Sequence, residues 1–412
     1  MGAAPPAPAH EGDRAYRRRW LTERRLAVGG LIVVVPVALL AALGSLAWLG
    51  RPFPGFFVMR NGVVPTIGIS QWTGVASGVP FHARVVAIDG RAIIHAAEVY
   101  EHVRAVPVGT PVEYTLTKRG EIFTRRVPTM RFGLLDYGLT LGILVGFGLV
   151  ATALSTAVGI VQPHSAAAQA FVVQGVVTAL FGLTGTMLYH PQLWWTSPLH
   201  LAIQAAVPAA LVTLGLSFPA DHPVVQVSSG RRWFPWALPV LLTPWMIAEF
   251  YADPPRTTAL YVSYYATAVS ILALVGLSAS AYLRNAAPRV RPQLHVVVPG
   301  LVFGLSASLY GFFNIAHAGG DFPIQLIAPF PVIFYFSVAW AIARHDLFDI
   351  DRQLKGAIVF GLLTLLIIAA YATVTAAARW LGSSPADGPG GAAAVGVFVV
   401  VAALFEPMRA RM

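Results

Sequence analysis

Ten long apolar runs constrain the fold of this chain more than any other feature of its sequence. An α-helix rises 1.5 Å per residue, so about 20 apolar residues cross the hydrocarbon core of a bilayer. We therefore predict ten membrane-spanning helices, of which the proline-interrupted fifth and the short, Gly/Ala-rich tenth are the weakest. The runs lie at about 27–49, 134–158, 166–188, 198–218, 234–252, 258–283, 294–316, 323–343, 356–378 and 391–406.

The composition agrees with a polytopic α-helical membrane protein. Charged residues make up 11% of the 412 positions and hydrophobic residues 56%, and the mean hydropathy is +0.67. A soluble domain carries about 25% charged residues. The sequence contains no cysteine, which excludes disulfides, thiolate metal ligands and thiol catalysis.

The basic residues predict how the spans are oriented. With the amino terminus in the cytoplasm, the cytoplasmic segments hold sixteen arginine or lysine residues, whereas the short outer loops hold only Arg256 and Arg379. This bias follows the positive-inside rule, so we expect both termini in the cytoplasm. It also explains most of the net charge of +10. No basic stripe with interleaved aromatics indicates a nucleic acid, and the expected partner is the lipid bilayer.

The segment between the first and second spans differs from the rest of the chain. It is rich in turn signals and alternating patterns, which predict a small extracytoplasmic α+β domain. The predicted organisation is a disordered basic cytoplasmic tail at 1–26, a first span at 27–49, the inserted domain at 54–130, a nine-helix membrane bundle at 134–406 and the start of a cytoplasmic connector at 407–412.

The inserted domain alternates short apolar stretches with turns. "ARVVAIDGRAII" places Asp89-Gly90, the commonest two-residue hairpin signal, between two apolar stretches. "AAEVYEHVRA" at 96–105 has the apolar spacing of a short amphipathic helix. "PVEYTLTKRGEIF" alternates apolar and polar residues around a second turn at Arg119-Gly120.

This order of elements, with "TGVASGVPFHARVVAIDGRAI" followed by "VYEHVRAVPVGTPVEYTLTKRGEIFTRRVP", resembles a bacterial PDZ domain of the kind found in periplasmic proteases. The resemblance implies a helix-capped β-sandwich whose groove accepts an extended peptide or a protein C-terminus as an added strand. Two features depart from the family: His82-Ala83 replaces the usual Gly-Asp pair, and no clear carboxylate-binding loop is visible. The groove strand maps to "NGVVPTIGIS", with the candidates Asn61, Gly62, Val63, Val64, Ile67 and Ile69.

A PDZ domain beside membrane helices raises the hypothesis of an intramembrane protease, but the motifs of that class are missing. The spans carry no His-Glu-x-x-His metal site, no rhomboid-type Gly-x-Ser-Gly and no aspartyl Gly-x-Gly-Asp. We therefore predict no catalytic residue, no cofactor and no metal site, with an enzyme of unfamiliar type left open. The similar strings "GLSASAY" (276–282) and "GLSASLY" (304–310) predict a close packing interface between the sixth and seventh spans.

The spans are nearly free of ionisable groups, which argues against a transporter with charges near the membrane midplane. His200 lies near a helix end and is interpreted as a satisfied interfacial residue. Polar and aromatic residues gather in the outer loops, where an aromatic belt explains most of them. The minority interpretation is an outward sensing pocket, with the candidates His190, Trp194, Trp195, Glu249, Asp253 and His317.

The stretch "ARHDLFDIDRQLKG" at 343–356 concentrates charge in a predicted cytoplasmic turn. A hard-cation loop needs more oxygen ligands and a glycine at its bend, so an amphipathic juxtamembrane segment is favoured over a metal site. The candidates for a signal-relay connector are Arg344, Asp346, Phe348, Asp349, Asp351 and Arg352.

This turn, the span that opens "AIVFGLLT" and the closing "FEPMRARM" resemble the membrane input regions of bacterial sensor histidine kinases and related multi-domain signalling proteins. With the inserted domain, the resemblance covers about 54–130 and 325–412. It implies a sensory module that detects an extracytoplasmic peptide or small ligand, shifts a conformational population and relays the change to a cytoplasmic output domain outside this chain. Because signalling relatives are usually dimers, a homodimer is also expected.

Two other classes of function stay open. A PDZ-like membrane scaffold would recruit envelope proteins through residues 54–130 without using the connector. A transporter would show substrate-dependent flux in liposomes.

Overall fold

A computed structural model of the chain describes residues 24–190, 193–218, 222–283, 291–318 and 323–346. The first part of the predicted tail, the predicted ninth and tenth spans, most of the connector and the carboxy-terminal segment lie outside the described residues. These positions are 1–23, 356–378, 391–406, 407–412 and, within the connector, Phe348, Asp349, Asp351 and Arg352.

Seven helices of the described residues are long and apolar enough to cross a membrane, which supports a multi-pass membrane protein. They correspond to the predicted first to fourth and sixth to eighth spans, and their bounds are Arg25–Leu46, Leu134–Val161, Ala166–Met187, Thr196–Ser217, Thr258–Ser280, His295–His317 and Ile324–Ala341.

The α-helices are numbered in chain order. The helices are α1 Arg25–Leu46, α2 Thr73–Ala76, α3 Ala96–Ala105, α4 Leu134–Tyr137, α5 Ile143–Val161, α6 Ala166–Met187, α7 Thr196–Ser217, α8 Pro223–Val227, α9 Ala237–Phe250, α10 Thr258–Leu283, α11 Arg291–Ala318 and α12 Pro331–Asp346. A π-helical stretch, Gly138–Gly142, joins α4 to α5, and 3₁₀ segments at Ser229–Trp236 and Ile324–Leu326 precede α9 and α12.

The predicted fifth span, 234–252, forms a shorter α-helix than expected. Its helix, α9, has 14 residues and so measures about 21 Å, less than the roughly 30 Å of a hydrocarbon core. The chain nevertheless runs most of the length of the bundle here. The Trp236 indole donates to Thr213 Oγ1 near the end of α7 (3.1 Å), while the Phe250 carbonyl accepts from Asn61 of the inserted domain (3.4 Å).

The inserted domain lies at one end of the bundle. The Trp48 indole donates to His190 just after α6 (3.2 Å), Arg84 pairs with Asp253 after α9 (3.0 Å), and the Thr66 carbonyl accepts from Ile324 before α12 (2.7 Å). These three loops therefore lie at the same end of the bundle, as expected if successive spans cross the membrane in alternating directions. At the opposite end, Arg24 Nε donates to the Ile160 carbonyl at the end of α5 (2.9 Å).

The inserted domain contains a four-stranded antiparallel sheet in the order β3-β2-β4-β5 and a separate antiparallel pair, β1-β6. The predicted helix is confirmed as α3, and both predicted hairpin turns are confirmed. Asp89-Gly90 and Arg119-Gly120 each have positive φ at both positions, as a two-residue turn that matches strand twist requires. The strands are β1 Pro52–Phe53, β2 Arg84–Ile88, β3 Arg91–Ala92, β4 Pro111–Lys118, β5 Glu121–Pro128 and β6 Met130–Arg131.

A cluster of buried aromatic side chains, here called the aromatic joint, connects the first span, the inserted domain and α6. Within it, Phe57 stacks on Tyr189 with ring centroids 4.4 Å apart, and Trp48 meets Tyr100 edge-on at 4.9 Å. Each such pair contributes about 0.5–1.5 kcal/mol beyond simple area burial. The members are Trp48, Phe53, Phe57, Trp72, Tyr100, Phe132 and Tyr189.

The predicted packing of the sixth span on the seventh is present, but the glycines of the two similar strings do not meet in it. Helices α10 and α11 lie side by side, but a Cβ added at Gly276 would meet no atom within 4 Å. A Cβ at Gly304 would lie 2.7 Å from the backbone nitrogen of Phe334. The second string thus allows close approach of α11 to α12, whereas Gly276 makes no close contact between α10 and α11.

We expect Gly304→Ala to lower the melting temperature of the detergent-solubilised chain by about 3 °C or more, because the added methyl collides with backbone that cannot rotate away. Gly276→Ala is the matched control, and it should leave the melting temperature unchanged or raise it, since alanine favours helix over glycine. Equal effects of the two substitutions would contradict the packing of α11 on α12.

Candidate functional site

A cavity of about 160 Å³ lies inside the bundle beneath the inserted domain. Its walls come from α5, α6, α7 and α9 to α12, and the inserted domain contributes Thr66, Ile67 and His82. Most of the lining side chains are aliphatic or aromatic, with a few polar groups between them. An apolar cavity of about 150 Å³ accepts benzene, so this cavity has room for a molecule the size of a single ring or a short chain.

The cavity reaches from the inserted domain to the middle of the spans. Gln174, which lines it, lies about 20 Å along α6 from the end of that helix at Met187. Tyr335 lines the same region, with its ring 5.6 Å from Phe171 and 6.2 Å from Phe147. The inner part of the cavity is therefore surrounded by apolar membrane helices.

Gln174, Thr178 and Tyr335 form a buried polar cluster where α6 meets α12. Gln174 is 3% exposed and Tyr335 is fully buried. The Gln174 amide nitrogen donates to Thr178 Oγ1 (3.0 Å). The Tyr335 phenol interacts with the side chains of both Thr178 and Gln174.

Two other polar residues on the cavity wall, His200 and Gln204, are hydrogen-bonded within the protein. His200 Nδ1 and Thr184 Oγ1 form a 2.9 Å hydrogen bond, and the imidazole stacks on Phe181 at 5.2 Å. Gln204 Nε2 donates to Ser263 Oγ (2.6 Å) and so joins α7 to α10. The hydrogen-bond partner predicted for His200 is present, but this histidine lies inside the bundle and not at an interface, since it is only 8% exposed.

His82 forms part of the mouth of the cavity. Its backbone has φ +61°, a left-handed conformation that favours glycine, and its Nδ1 lies 3.0 Å from the Tyr261 hydroxyl of α10. Burial, with a smaller contribution from the Lys118 cation, lowers the pKa of His82 to about 4. The imidazole is therefore neutral at pH 7 where it meets the bundle.

The six outer-loop candidates do not form one pocket, because Glu249 is the only one of them that lines the cavity. Its carboxylate accepts from the Ala259 backbone nitrogen (2.7 Å) and the Trp245 indole (3.1 Å). Of the others, His190 bonds Trp48, Trp194 is 64% exposed, Trp195 is half-buried against the core, Asp253 pairs with Arg84, and His317 is exposed and stacks on Phe313.

The six groove candidates lie together, but the segment that holds them is covered. Val64 exchanges backbone hydrogen bonds with His82 and Ala83 (2.8 Å each), and the Gly68 carbonyl accepts from Gln325. A peptide would have to displace these partners to add a strand here, and the groove stays a prediction. Four of the six side chains are 8% exposed or less: Val63, Val64, Ile67 and Ile69; Asn61 is half-buried and Gly62 is buried.

Two of the connector candidates fall within the described residues. Arg344 and Asp346 belong to the last turn of α12, the helix that also carries Tyr335. The signal-relay role of all six connector candidates stays a prediction.

The cavity-lining residues at mid-span were not predicted from the sequence. Gln174 and Gln204 are amides inside otherwise apolar runs, a signal that could have been weighed, because polar side chains within spans are costly unless paired or functional. The role of Tyr335 carried no such signal, since tyrosine is common near membrane interfaces. Only the packing of the helices shows that its hydroxyl lies beside Gln174 and Thr178.

No known protein family, no curated protein and no solved structure matches this chain. Among the described residues, no group of three or more His, Asp or Glu side chains could hold a metal ion.

We expect acid to weaken the docking of the inserted domain on the bundle. His190 Nε2 accepts from the Trp48 indole, which needs a neutral ring, and burial together with Arg51 lowers the pKa of His190 to about 4. For His82 and His190 the docked state binds fewer protons than a released state with pKa near 6.5. The free energy of docking is therefore constant above about pH 7. It becomes less favourable as the pH falls toward 4, by at most about 1.4 kcal/mol per pH unit for each histidine.

The measurement uses spin labels on cysteines introduced at Ile94 in the inserted domain and Leu199 in α7, both exposed, in a chain without native cysteine. In lipid nanodiscs, the distance distribution should broaden between pH 7.5 and 4.5. His82→Gln with His190→Gln should remove most of that change. An identical response of the native and doubly substituted chains would show that other groups control docking.

Proposed function

We propose that this chain is a membrane sensory module that binds a small ligand in the cavity and relays its presence to a cytoplasmic output domain outside the chain. The observation that carries the proposal is that the inserted domain and α12 wall the same cavity. A ligand that contacts both changes the energy of their arrangement, which is how binding shifts a conformational population.

The sidedness of the module is inferred from charge. Arg24 and Arg232 lie at the end of the bundle away from the inserted domain, beside Ile160 and Thr213. Arginine and lysine are enriched in short loops on the cytoplasmic side of a membrane protein. We therefore propose that this end faces the cytoplasm of a bacterial cell and that the inserted domain lies outside the inner membrane.

Helix α12 is the proposed relay. Phe334 and Tyr335 line the cavity, and eleven residues further along the same helix Asp346 begins the predicted connector. A shift or rotation of α12 at Tyr335 is transmitted through its hydrogen-bonded backbone to Arg344 and Asp346. That one helix joins the cavity to the connector supports a receptor of the kind that the resemblance to sensor histidine kinases implies.

The inserted domain supports the proposed PDZ-like identity through its order of strand, Asp-Gly turn, strand, helix and hairpin. His82, which replaces the usual glycine, keeps a φ of +61°. The covered state of residues 61–69 favours a small ligand in the cavity over a peptide on that segment. A scaffold that recruits envelope proteins through these residues is therefore the weaker alternative.

The proposal is tested by substitutions that fill the cavity with a larger side chain in place of a ligand. Val207 lines the cavity and is 7% exposed, whereas Val262 of α10 is 37% exposed and does not line it. We expect Val207→Phe to change the distance between labels on Ile160→Cys and Ile342→Cys, because the added ring displaces α12. Val262→Phe, the matched control, should leave that distance unchanged.

Ala328→Leu provides a second filling variant in case Val207→Phe does not fold, since Ala328 also lines the cavity. A filled and folded variant with an unmoved α12 contradicts the sensory proposal. Substrate-dependent flux through the native chain in liposomes would favour the transporter instead.

A further inference from the structure

Strand β5 leaves one edge of the inserted domain's sheet unpaired. It is the last strand in the order β3-β2-β4-β5 and pairs only with β4. Apart from those bonds, no backbone hydrogen bond joins β5 to any other described part of the chain. Of its eight residues, Val127 is buried and Phe123 is half-buried, and the other six are exposed. Such an edge can receive a further strand.

The register of the hairpin shows which backbone groups of β5 are available. The two-residue turn Arg119-Gly120 is closed by the pair Lys118 and Glu121. Because hydrogen-bonded pairs alternate along an antiparallel ladder, Ile122, Thr124 and Arg126 direct their N–H and C=O groups away from β4. The Thr124 carbonyl accepts from Arg125 Nη1 (2.9 Å). The other five groups have no partner among the described residues.

The charge of this edge selects the strand that it can accept. The strand and its turn carry Lys118, Arg119, Arg125 and Arg126 against the single acidic residue Glu121. Arg126 pairs with Glu113 (3.0 Å) but is 79% exposed, and exposed ion pairs stabilise little. Basic side chains on an edge disfavour pairing with a basic strand. The edge therefore repels a second copy of itself and attracts an acidic segment.

The order of side chains along β5 specifies the acidic segment further. Arg125 and Arg126 are adjacent and so point to opposite faces of the sheet. Ile122 is 73% exposed, and the Arg125 guanidinium lies 5.1 Å from the ring centroid of Phe123. Opposite charges and apolar pairs are favourable across a ladder. An antiparallel partner therefore needs two adjacent acidic residues, one spacer residue and then two apolar residues.

We propose that β5 binds an extended acidic segment of a partner protein by strand addition. Its two carboxylates lie opposite Arg125 and Arg126, and its apolar residues lie opposite Ile122 and Phe123. A backbone N–H of the partner takes the place of Arg125 at the Thr124 carbonyl, which frees that guanidinium for a carboxylate. No residue of β5 lines the cavity, so this surface is independent of the proposed ligand site and differs from the groove candidates at 61–69.

The probe is a fluorescein-labelled peptide with the core Glu-Glu-Thr-Val-Val and an amidated end. Its binding to the full chain in nanodiscs of neutral lipid is followed by fluorescence anisotropy, with empty nanodiscs as the blank. We expect saturable binding that weakens as salt is added, because the attraction between the exposed charges is screened.

Two N-methylated peptides of equal charge separate strand addition from charge attraction. In the antiparallel ladder, the N–H groups of the threonine and the second valine face β5, whereas those of the second glutamate and the first valine face away. Methylation of the first two nitrogens should weaken binding by about tenfold or more. Methylation of the other two is the matched control and should leave most of the affinity. Equal effects of the two methylated peptides would overturn the proposal.

Variants of the chain test the same contacts from the other side. Arg125→Gln with Arg126→Gln should weaken binding about fivefold, since two cross-strand charge pairs are lost. The matched control is Arg91→Gln with Arg104→Gln, which removes the same charge from exposed positions of β3 and α3. Equal loss in both double variants would assign the binding to the overall charge of the domain and overturn the proposal.

Thr124→Pro removes an outward N–H without removing a bond to β4, and proline is tolerated on an edge strand. We expect this variant to lose most of its peptide binding while its melting temperature stays close to that of the native chain. Peptide binding that survives in a folded Thr124→Pro chain would contradict strand addition.

A second copy of the chain is the competing occupant of β5. Thr124→Cys, in a chain without native cysteine, would then form a disulfide between two copies and exclude the peptide, and this result would overturn the proposal. A Thr124→Cys chain that stays uncross-linked under oxidation and still binds the peptide supports it.

Discussion

The position of the inserted domain depends on the aromatic joint. Seven large rings bury one another: Trp48 just after the first span, Tyr189 just after α6, and five rings of the inserted domain and its flanks. This packing fixes the end of the first span relative to the end of α6. Since Tyr189 of the joint is also a cavity residue, the same packing determines where the roof of the cavity sits. Disruption of the joint would therefore release the inserted domain and open the cavity together.

Docking also changes what the inserted domain can bind. A strand that receives a peptide must present unpaired backbone groups, yet the carbonyls of Thr66 and Gly68 accept hydrogen bonds from Ile324 and Gln325 of the bundle. The backbone groups along this edge are therefore already hydrogen-bonded to the bundle. The inserted domain thus covers one end of the cavity, and under the proposed function its ligand contacts lie inside the protein and not in a surface groove.

Sequence patterns predicted the elements whose causes are local. The hairpin turns at Asp89-Gly90 and Arg119-Gly120, helix α3 and seven of the apolar spans follow from turn chemistry and from runs of apolar residues. Contacts between elements were not predictable in this way. Gly276 and Gly304 sit in nearly identical strings, but only Gly304 meets a neighbouring backbone, because the rotation of each helix decides which face is covered. The cavity escaped prediction for the same reason, since its wall combines seven helices.

Helix α12 connects these levels. Phe334 and Tyr335 line the cavity, and Asp346 lies eleven residues beyond Tyr335 on the same helix. The backbone of α12 at Phe334 is also the surface that Gly304 of α11 approaches, so close packing and the cavity both determine the position of this helix. A ligand shifts an equilibrium only by its difference in affinity for the two states. For the proposed sensory function, that difference must come from contacts that change when α12 moves, and the residues of α12 that line the cavity, Pro331, Phe334 and Tyr335, are where such contacts lie.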